Sequence, residues 1–311
     1  MQNYLSLIEK IKQKFPIPQE ENFEPATSGT HHKVLISNRY VIRFRDDNPK
    51  LLLREVDFLK QINHPLIPKV LWEGMIDGSI CMVENRLHGK NIHILWKTLS
   101  EADKTNIIKQ IIQFLQYLKT QIKDHIYSIN TGKKYNNFID YLTDNIRQKI
   151  TRIRKFKQVD KVLENILSIT EETKTKNLFL NKKKITFVHG DLIIHNLLTD
   201  GKNLTGVLDW ELALFGDPDY DLSRLFYYQE CAKAYQKQGI DDTFETDYMD
   251  KLIIEILKSD LIENRELFYV KYKLMRAIFY LNALYWASDS DNPVKNINEL
   301  MVRWNKKTEN Q

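Results

Sequence analysis

The sequence has 311 residues, of which 42% are hydrophobic and 28% are charged, and its formal net charge is +5. This composition excludes a disordered chain, and the length allows a substantial core arranged as two lobes or domains. The small positive charge gives no indication of nucleic-acid binding. Cys81 and Cys231 lie far apart in the sequence, so they predict neither a disulfide framework nor a metal site, and they suit a reducing compartment.

The first residues have a helical pattern rather than that of a signal peptide. Tyr4, Ile8, Ile11 and Phe15 share one face of an amphipathic helix. No apolar run in the chain approaches the length of a membrane span. We therefore expect a cytoplasmic protein that binds neither membrane nor nucleic acid.

A polar loop containing Ser28, Gly29 and Thr30 leads into two predicted strands, HKVLIS and RYVIRF. Such a loop can fold over a phosphate with its backbone N–H groups, because glycine lets the backbone approach closely. An ordinary loop at the start of a β-hairpin is the other interpretation of the same residues.

Arg43 is a cation inside the second of these strands, which is otherwise mostly apolar. It is either an edge-strand cation in water or a guanidinium held for an anion. The helix LLLREVDFLKQI follows and carries Glu55, which could pair with Arg43 or could be an ordinary solvated glutamate. The apolar strand SICMVEN then runs into a polar linker, where Gly89 marks a lobe boundary.

From about Ser100 onward the apolar residues recur at helical spacing. One predicted helix spans Asp160 to Ile169. The basic run from Arg147 to Lys161 is predicted to be a solvated helix face rather than an anion-binding surface.

The stretch from Ile185 to Leu225 interrupts this helical half. Its short apolar runs ITFV, NLL and LTGVLDW predict a small buried β-ribbon with polar junctions. At the junctions are His189, Asp191, Asn196 and Asp209. Carboxylates on loops between rigid strands are well placed for chemistry, although each of these residues taken singly is a common turn former.

Several motifs in this stretch resemble those of a known family: HGD at 189–191, Asn196, VLDWE at 207–211, GDP at 216–218 and Asp221. Together they resemble the catalytic and metal-binding motifs of the aminoglycoside phosphotransferase/choline kinase superfamily, which are small-molecule kinases. The resemblance implies an α+β, bilobal, protein-kinase-like fold. Its small antiparallel-sheet N-lobe would be residues 1–86, and its larger, mainly helical C-lobe would be residues 87–311.

The resemblance also implies a role for each matching residue. Asp191 would accept the proton of the attacking hydroxyl, and Asn196 and Asp209 would bind Mg²⁺. The nucleotide would be ATP, with GTP as the alternative. The covering loop would be Ser28, Gly29 and Thr30, and the phosphates would be bound by Arg43 with Glu55 as its partner. The main chain of Glu84, Asn85 and Arg86 would read the base. His189 would brace the loop, Asp217 and Asp221 would cap the next helix, and His195 has no assigned role.

The function expected from this resemblance is ATP-dependent phosphorylation of a hydroxyl group on a small molecule. A cationic acceptor, such as an aminoglycoside or a choline-like amine, is favoured by the aromatic and acidic residues of the C-terminal half, although these aromatics could equally form a helix core. They are Trp210, Tyr227, Tyr228, Tyr285 and Trp286, with Glu211, Glu230, Asp241 and Asp242. The alternative is a nucleotide-binding regulatory or scaffold protein of the same fold with little turnover. A protein kinase is disfavoured because no activation segment separates Asp209 from Asp217.

Overall fold

The computed structural model describes residues 2–26, 33–45, 49–127, 133–176, 178–179, 185–238 and 246–308. The chain forms two compact units. The first consists of residues 1–113 and 189–214, and the second of residues 114–188 and 215–311. The lobes 1–86 and 87–311 are a different division of the chain and stay a prediction.

The secondary structure begins with a helix and a series of strands. The elements in chain order are α1 (Gln2–Lys14), β1 (Glu24–Pro25), β2 (Lys33–Ile36), β3 (Tyr40–Arg45), α2 (Pro49–Leu59), β4 (Val70–Ile76), β5 (Ser79–Asn85), β6 (Lys90–Asn91), α3 (Ile92–Leu95) and α4 (Glu101–Thr120).

The remainder is mainly helical, with short strands between the helices. These elements are β7 (Ile126–Tyr127), β8 (Lys134–Tyr135), α5 (Phe138–Ile153), α6 (Asp160–Thr175), β9 (Thr186–Val188), β10 (Leu197–Thr199), β11 (Leu204–Val207), β12 (Leu214–Gly216), α7 (Asp219–Gln238), α8 (Thr246–Lys258), α9 (Arg265–Ala287) and α10 (Pro293–Thr308). None of the helices that the structure describes combines the length and apolar composition that a membrane span needs.

The first unit contains an antiparallel five-stranded sheet with the strand order β1-β2-β3-β5-β4. Side chains alternate between the two faces of β3. Ile42 and Phe44 point into a core that also buries Ile8 and Ile11 of α1, as the helical pattern of the first residues predicts. The opposite face of β3 carries Arg43 and lines a cavity.

A three-stranded sheet of β6, β10 and β11 completes the strands of the first unit. The strands of the predicted β-ribbon are divided between two sheets, because the ITFV run (β9) pairs with β12 in a separate two-stranded sheet. The LTGVLDW run is also shorter than expected and stops being a strand at Val207. Asp209 has φ of 64°, a left-handed conformation that cannot continue a strand.

In the second unit, helix α9 packs against α5, α6, α7 and α10. Asn264 caps it by accepting a 2.9 Å hydrogen bond from the Leu267 N–H. Helix α6 is six residues longer than predicted, ending at Thr175 instead of Ile169. In this added part the hydroxyls of Thr170 and Thr173 donate to the carbonyls four residues earlier, each at 2.7 Å, so both side chains are satisfied within the helix.

A buried charge cluster joins α9 to the start of α7. Lys271 Nζ lies 2.7 Å from Asp217 Oδ2 and 2.9 Å from Asp219 Oδ2. Asp217 also accepts a hydrogen bond from the Asp219 N–H, which agrees with its predicted capping role, whereas Asp221 lies inside the first turn of α7. Burial raises the pKa of Asp217, while Lys271 opposes this rise.

Replacement of Lys271 by Met should leave two buried carboxylates without their cation and lower the free energy of unfolding by about 3 kcal/mol, because breaking one side of a buried ion pair leaves an uncompensated charge. Lys273→Met is the matched control, since Lys273 lies two residues away on the same helix with its side chain 60% exposed. It should cost no more than about 0.5 kcal/mol. Urea unfolding of both variants measures the difference, and equal effects would contradict a stabilising role for the cluster.

Candidate active site

A cavity of about 720 Å³ in the first unit brings together most of the residues singled out from the sequence. One part of its wall is apolar and another is charged. The apolar residues include Val34, Val41, Pro68, Leu198 and Leu208. The charged and amide residues include Arg43, Glu84, Asn196, Asp209 and Glu211.

The predicted pairing of Arg43 with Glu55 is present in the structure. Arg43 on β3 is 8% exposed, Glu55 on α2 is 0% exposed, and the Arg43 guanidinium donates to Glu55 Oε1. The same oxygen accepts a 3.2 Å hydrogen bond from the Trp210 N–H. Burial by itself would lower the pKa of Arg43, but the attraction of Glu55, Glu84 and Asp209 outweighs it and raises that pKa, so Arg43 is a permanent cation.

His189 braces the loop that carries Asp191, as expected. The His189 ring is fully buried, its Nε2 lies 3.0 Å from the Leu208 carbonyl, and its Nδ1 accepts a 3.2 Å bond from the Asp191 N–H. These contacts require a proton on Nε2 and none on Nδ1, which is the neutral ring. Burial lowers the pKa of His189 to about 4, consistent with a structural role instead of proton transfer.

Asn196 links the two halves of the predicted catalytic set. Its side-chain nitrogen donates to the Asp191 carbonyl at 2.9 Å and lies 3.4 Å from Asp191 Oδ2. The main-chain carbonyl of Asn196 accepts a 2.8 Å hydrogen bond from the N–H of Leu208, the residue before Asp209. The amide nitrogen is therefore used within the protein, and the amide oxygen is the atom suited to bind a cation in the cavity.

Asp209 is half-buried and adopts the left-handed conformation that non-glycine residues rarely take. Its pKa is raised to about 6, first by burial and then by Glu211 and Glu55, while Arg43 opposes the rise. The left-handed backbone and the neighbouring negative charges both make an ionised Asp209 unfavourable here. Residues held at such a cost are typical of functional sites.

Glu211, which the sequence suggests as an acid that binds a cationic acceptor, lines the cavity. Its carboxylate lies 3.2 Å from Arg45 Nη1. Arg45 is two residues after Arg43, so strand alternation places both cations on one face of β3. That spacing was the available sequence signal for this second ion pair.

The residues expected to read the base all line the cavity, but their N–H groups are partly used. Asn85 donates its N–H to the Lys69 carbonyl at 3.1 Å, and Arg86 donates its N–H to the Arg39 carbonyl at 2.9 Å. Ser28, Gly29 and Thr30 lie outside the described residues. His195 packs on His93 with ring centroids 4.2 Å apart.

Glu84, whose main chain is predicted to read the base, also lines the cavity. It is 5% exposed, and among the buried side-chain atoms that the structure describes, its Oε2 is one of those without a hydrogen-bond partner. Burial raises the pKa of Glu84 to about 7, with Arg43 opposing and Glu55 adding to the rise. No local sequence pattern indicated this, because the four consecutive apolar residues at 80–83 show no alternation that would assign a face to Glu84.

The donor set suits a hard divalent cation. Within the described residues no three His, Cys, Asp or Glu side chains converge on one point, so the candidate ligands are the Asp209 carboxylate and the Asn196 amide oxygen. Magnesium is bound in this way, by one or two protein oxygens with water and phosphate as the other ligands. The binding of a cation is also favoured because the surrounding carboxylates outnumber the two arginines of β3. These carboxylates are Glu55, Glu84, Asp191, Asp209 and Glu211.

Gly190 should not tolerate a side chain, because it has φ of 83° and a Cβ there would lie 2.2 Å from the Leu212 carbonyl oxygen. Gly190→Ala should therefore lower the free energy of unfolding by about 3 kcal/mol or more, combining backbone strain with overpacking. Gly201→Ala is the control, since Gly201 has φ of 100° but nothing within 4 Å of a Cβ, and it should cost about 1 kcal/mol. Urea unfolding distinguishes them, and similar losses would show that the close contact is unimportant.

Glu84 should make the unliganded protein less stable as pH rises. Its folded pKa of about 7 exceeds its ordinary value of 4.5, so between these values the unfolded chain ionises while the folded state holds the proton. The stabilisation is complete below pH 4.5 and is lost as pH rises to about 7, a change of about 3 kcal/mol. Unfolding of the wild type and Glu84→Gln from pH 5 to 8 measures it. Parallel pH profiles would be the contrary result.

Comparison with known proteins places this site in a family. The model of the phosphotransferase enzyme family matches residues 22–250. A hygromycin-B 4-O-kinase of Escherichia coli is 35% identical over 51 residues, which is 16% of this chain and 15% of that protein, so the match spans only a small part of the relative.

Two solved structures resemble almost the whole chain. A thermostable mutant of aminoglycoside phosphotransferase APH(4)-Ia is 16% identical with a TM-score of 0.66, covering 95% of this chain and 96% of that one. The gentamicin complex of APH(2'')-IIa is 20% identical with a TM-score of 0.65, covering 95% of both chains. These neighbours confirm the predicted α+β fold class, and the family model covers well over half of the sequence. The chain belongs to the phosphotransferase enzyme family.

Proposed function

We propose that this protein is a kinase that transfers the γ-phosphoryl group of ATP to a hydroxyl group of a small molecule. The observation that carries the proposal is the assembly around one cavity of the Arg43–Glu55 pair, Asn196 and Asp209, with Asp191 bonded to Asn196. Phosphoryl transfer depends mostly on positioning and on neutralising phosphate charge, and this set offers groups for both.

The apolar and the charged parts of the cavity wall suit the base and the phosphates of a nucleotide. Its apolar walls, Val34 and Val41 on one strand pair and Leu198 and Leu208 elsewhere, can sandwich a flat base. Arg43 would contact the phosphates as a fixed guanidinium, because Glu55 holds one side of it and leaves the rest of the fork for anion oxygens. The covering loop at Ser28–Thr30 remains part of this proposal.

Asp191 is the proposed general base. Its carboxylate would accept the proton of the acceptor hydroxyl while the hydroxyl oxygen bonds to the γ-phosphorus and the bond from that phosphorus to the departing ADP oxygen breaks. Asn196 and His189 position it from two sides, through its carbonyl and its N–H. Asn196 and Asp209 would hold Mg²⁺, which when bound neutralises charge on the phosphates.

For the acceptor we propose an aminoglycoside or a related cationic, hydroxyl-rich molecule. Solved neighbours contain hygromycin B, gentamicin or streptomycin. The aromatic and acidic residues named from the sequence add little support. Trp210 is buried and donates to the Val207 carbonyl, and Glu230 lies 3.0 Å from Arg276. Asp241 and Asp242 lie outside the described residues.

Replacement of Asp191 by Asn should lower kcat by about 10²- to 10⁴-fold, the usual contribution of a positioned general base, while nucleotide binding changes little. Asp57→Asn on the exposed face of α2 is the control and should keep wild-type kcat. The assay is phosphate transfer from ATP with Mg²⁺, followed by phosphorus NMR or mass spectrometry across aminoglycosides, choline, ethanolamine and sugars.

Two results would count against the proposal. If the wild type bound ATP but phosphorylated no acceptor, the protein would be a nucleotide-binding regulatory or scaffold protein. If Asp191→Asn turned over as fast as the wild type, another group would have to be the base.

A further inference from the structure

We propose that the Glu84 side chain reads the nucleobase: its carboxylate accepts a hydrogen bond from the 6-amino group of adenine and thereby selects ATP against GTP. The inference rests on the proposed function only in that a purine nucleotide occupies the cavity. It adds a base-reading group to a site whose phosphate-side residues are described above.

The strand register places Glu84 on the cavity face of the sheet. Glu84 on β5 lies directly opposite Val41 on β3, and Met82 lies opposite Arg43. Directly opposed residues of antiparallel strands share a face, and both Val41 and Arg43 line the cavity. Glu84 therefore lies on the same face of the sheet as Arg43, the proposed phosphate-binding cation. Its cross-strand neighbour Val41 belongs to the apolar wall that would hold the base.

The Glu84 carboxyl has an oxygen for which the described part of the protein supplies no hydrogen-bond donor. It is 95% buried, and its Oε2 has no hydrogen-bond partner within the described part of the chain. The Arg43 guanidinium, whose charge acts on Glu84, donates its hydrogen bond to Glu55. A buried carboxyl oxygen without a donor is costly, so a ligand N–H aimed at it would be bound strongly.

The 6-amino group of adenine needs an acceptor, which the Glu84 carboxyl provides, whereas the neighbouring main-chain N–H groups are donors. The N–H groups of Asn85 and Arg86 already donate to the carbonyls of Lys69 and Arg39. Reading by these two N–H groups would require breaking bonds that hold the end of β5. The carboxyl of Glu84 needs no such rearrangement.

Base chemistry favours adenine over guanine. At position 6 adenine carries an amino group, which is a donor, whereas guanine carries an oxygen that would face the carboxylate acceptor to acceptor. Guanine could instead bind a carboxylate through N1–H and its 2-amino group, but that contact requires the purine to shift along its edge until N1, and not C6, faces the carboxyl. Burial keeps the pKa of Glu84 near 7 in the unliganded protein, facing Arg43 and Glu55, and an amino donor would favour the ionised form.

The test is equilibrium binding of nucleotides with Mg²⁺ to the full-length protein, by competition against a fluorescent ATP analogue. The ligands are ATP, GTP, ITP and purine riboside triphosphate, which lacks the 6-amino group. We expect the wild type to bind ATP about tenfold or more tightly than the other three, since a lost charge-assisted hydrogen bond is worth at least that factor. Glu84→Gln should bring ATP and GTP to within about threefold, because an amide can accept from the amino group or donate to the guanine oxygen.

Glu73→Gln is the matched control, because Glu73 on the neighbouring strand β4 pairs with Lys60 and does not line the cavity. It should keep the wild-type order of affinities. If Glu84→Gln does not fold, Glu84→Asp, which withdraws the carboxyl by one methylene, should narrow the ATP preference in the same direction.

The inference is overturned if the wild type binds GTP or purine riboside triphosphate as tightly as ATP, or if the Glu84 variants keep the wild-type ratio. Binding is measured without turnover, so the two proposals fail separately. A protein that prefers ATP through Glu84 but phosphorylates nothing would refute only the kinase function. A kinase that uses ATP and GTP equally would refute only base selection by Glu84.

Discussion

The buried ion pair between Arg43 and Glu55 is the interaction on which the candidate site depends. Glu55 is fully buried, and one of its oxygens accepts from both the Arg43 guanidinium and the Trp210 N–H. It therefore ties β3 and α2 to the residue immediately after Asp209. Desolvating two charges is costly, and the geometry is stable only because the pair and the added backbone donor offset that cost. Moving any member would displace Arg43, the proposed phosphate-binding cation, and Asp209, the proposed metal ligand, together.

The cavity carries an excess of acid that the protein does not neutralise by itself. Burial and mutual repulsion raise the pKa of Asp209 to about 6 and that of Glu84 to about 7. The two carboxyl groups suit different partners, a divalent cation at Asp209 and a base amino group at Glu84. Acids that the protein leaves unneutralised cost stability, so their presence in this cavity is best explained by the binding of a ligand.

Backbone conformation holds the proposed catalytic residues in place. Gly190 and Asp209 both have positive φ, on either side of the hairpin formed by β10 and β11. The neutral His189 ring connects the two segments, since it bonds to the Asp191 N–H and to the Leu208 carbonyl. Asn196 makes a second connection from the same loop to Leu208. The main chain at Asp191 and at Leu208, next to Asp209, is thus held by hydrogen bonds to its own N–H and carbonyl groups.

The sequence by itself determined the family, the fold class and the identity of the proposed base and metal ligands, because these depend on ordered motifs whose spacing is local. Strand alternation also determined that Arg43 faces away from Ile42 and Phe44. The tertiary structure alone decided the burial of the Glu84 side chain at the cavity, the pairing of Arg45 with Glu211 and the burial of Trp210. Those outcomes depend on strand register and on contacts across as many as 166 residues of sequence, and neither leaves a local pattern. A strand such as β5, in which four apolar residues follow one another without alternation, does not show which of its residues will face a cavity until its neighbours are in place.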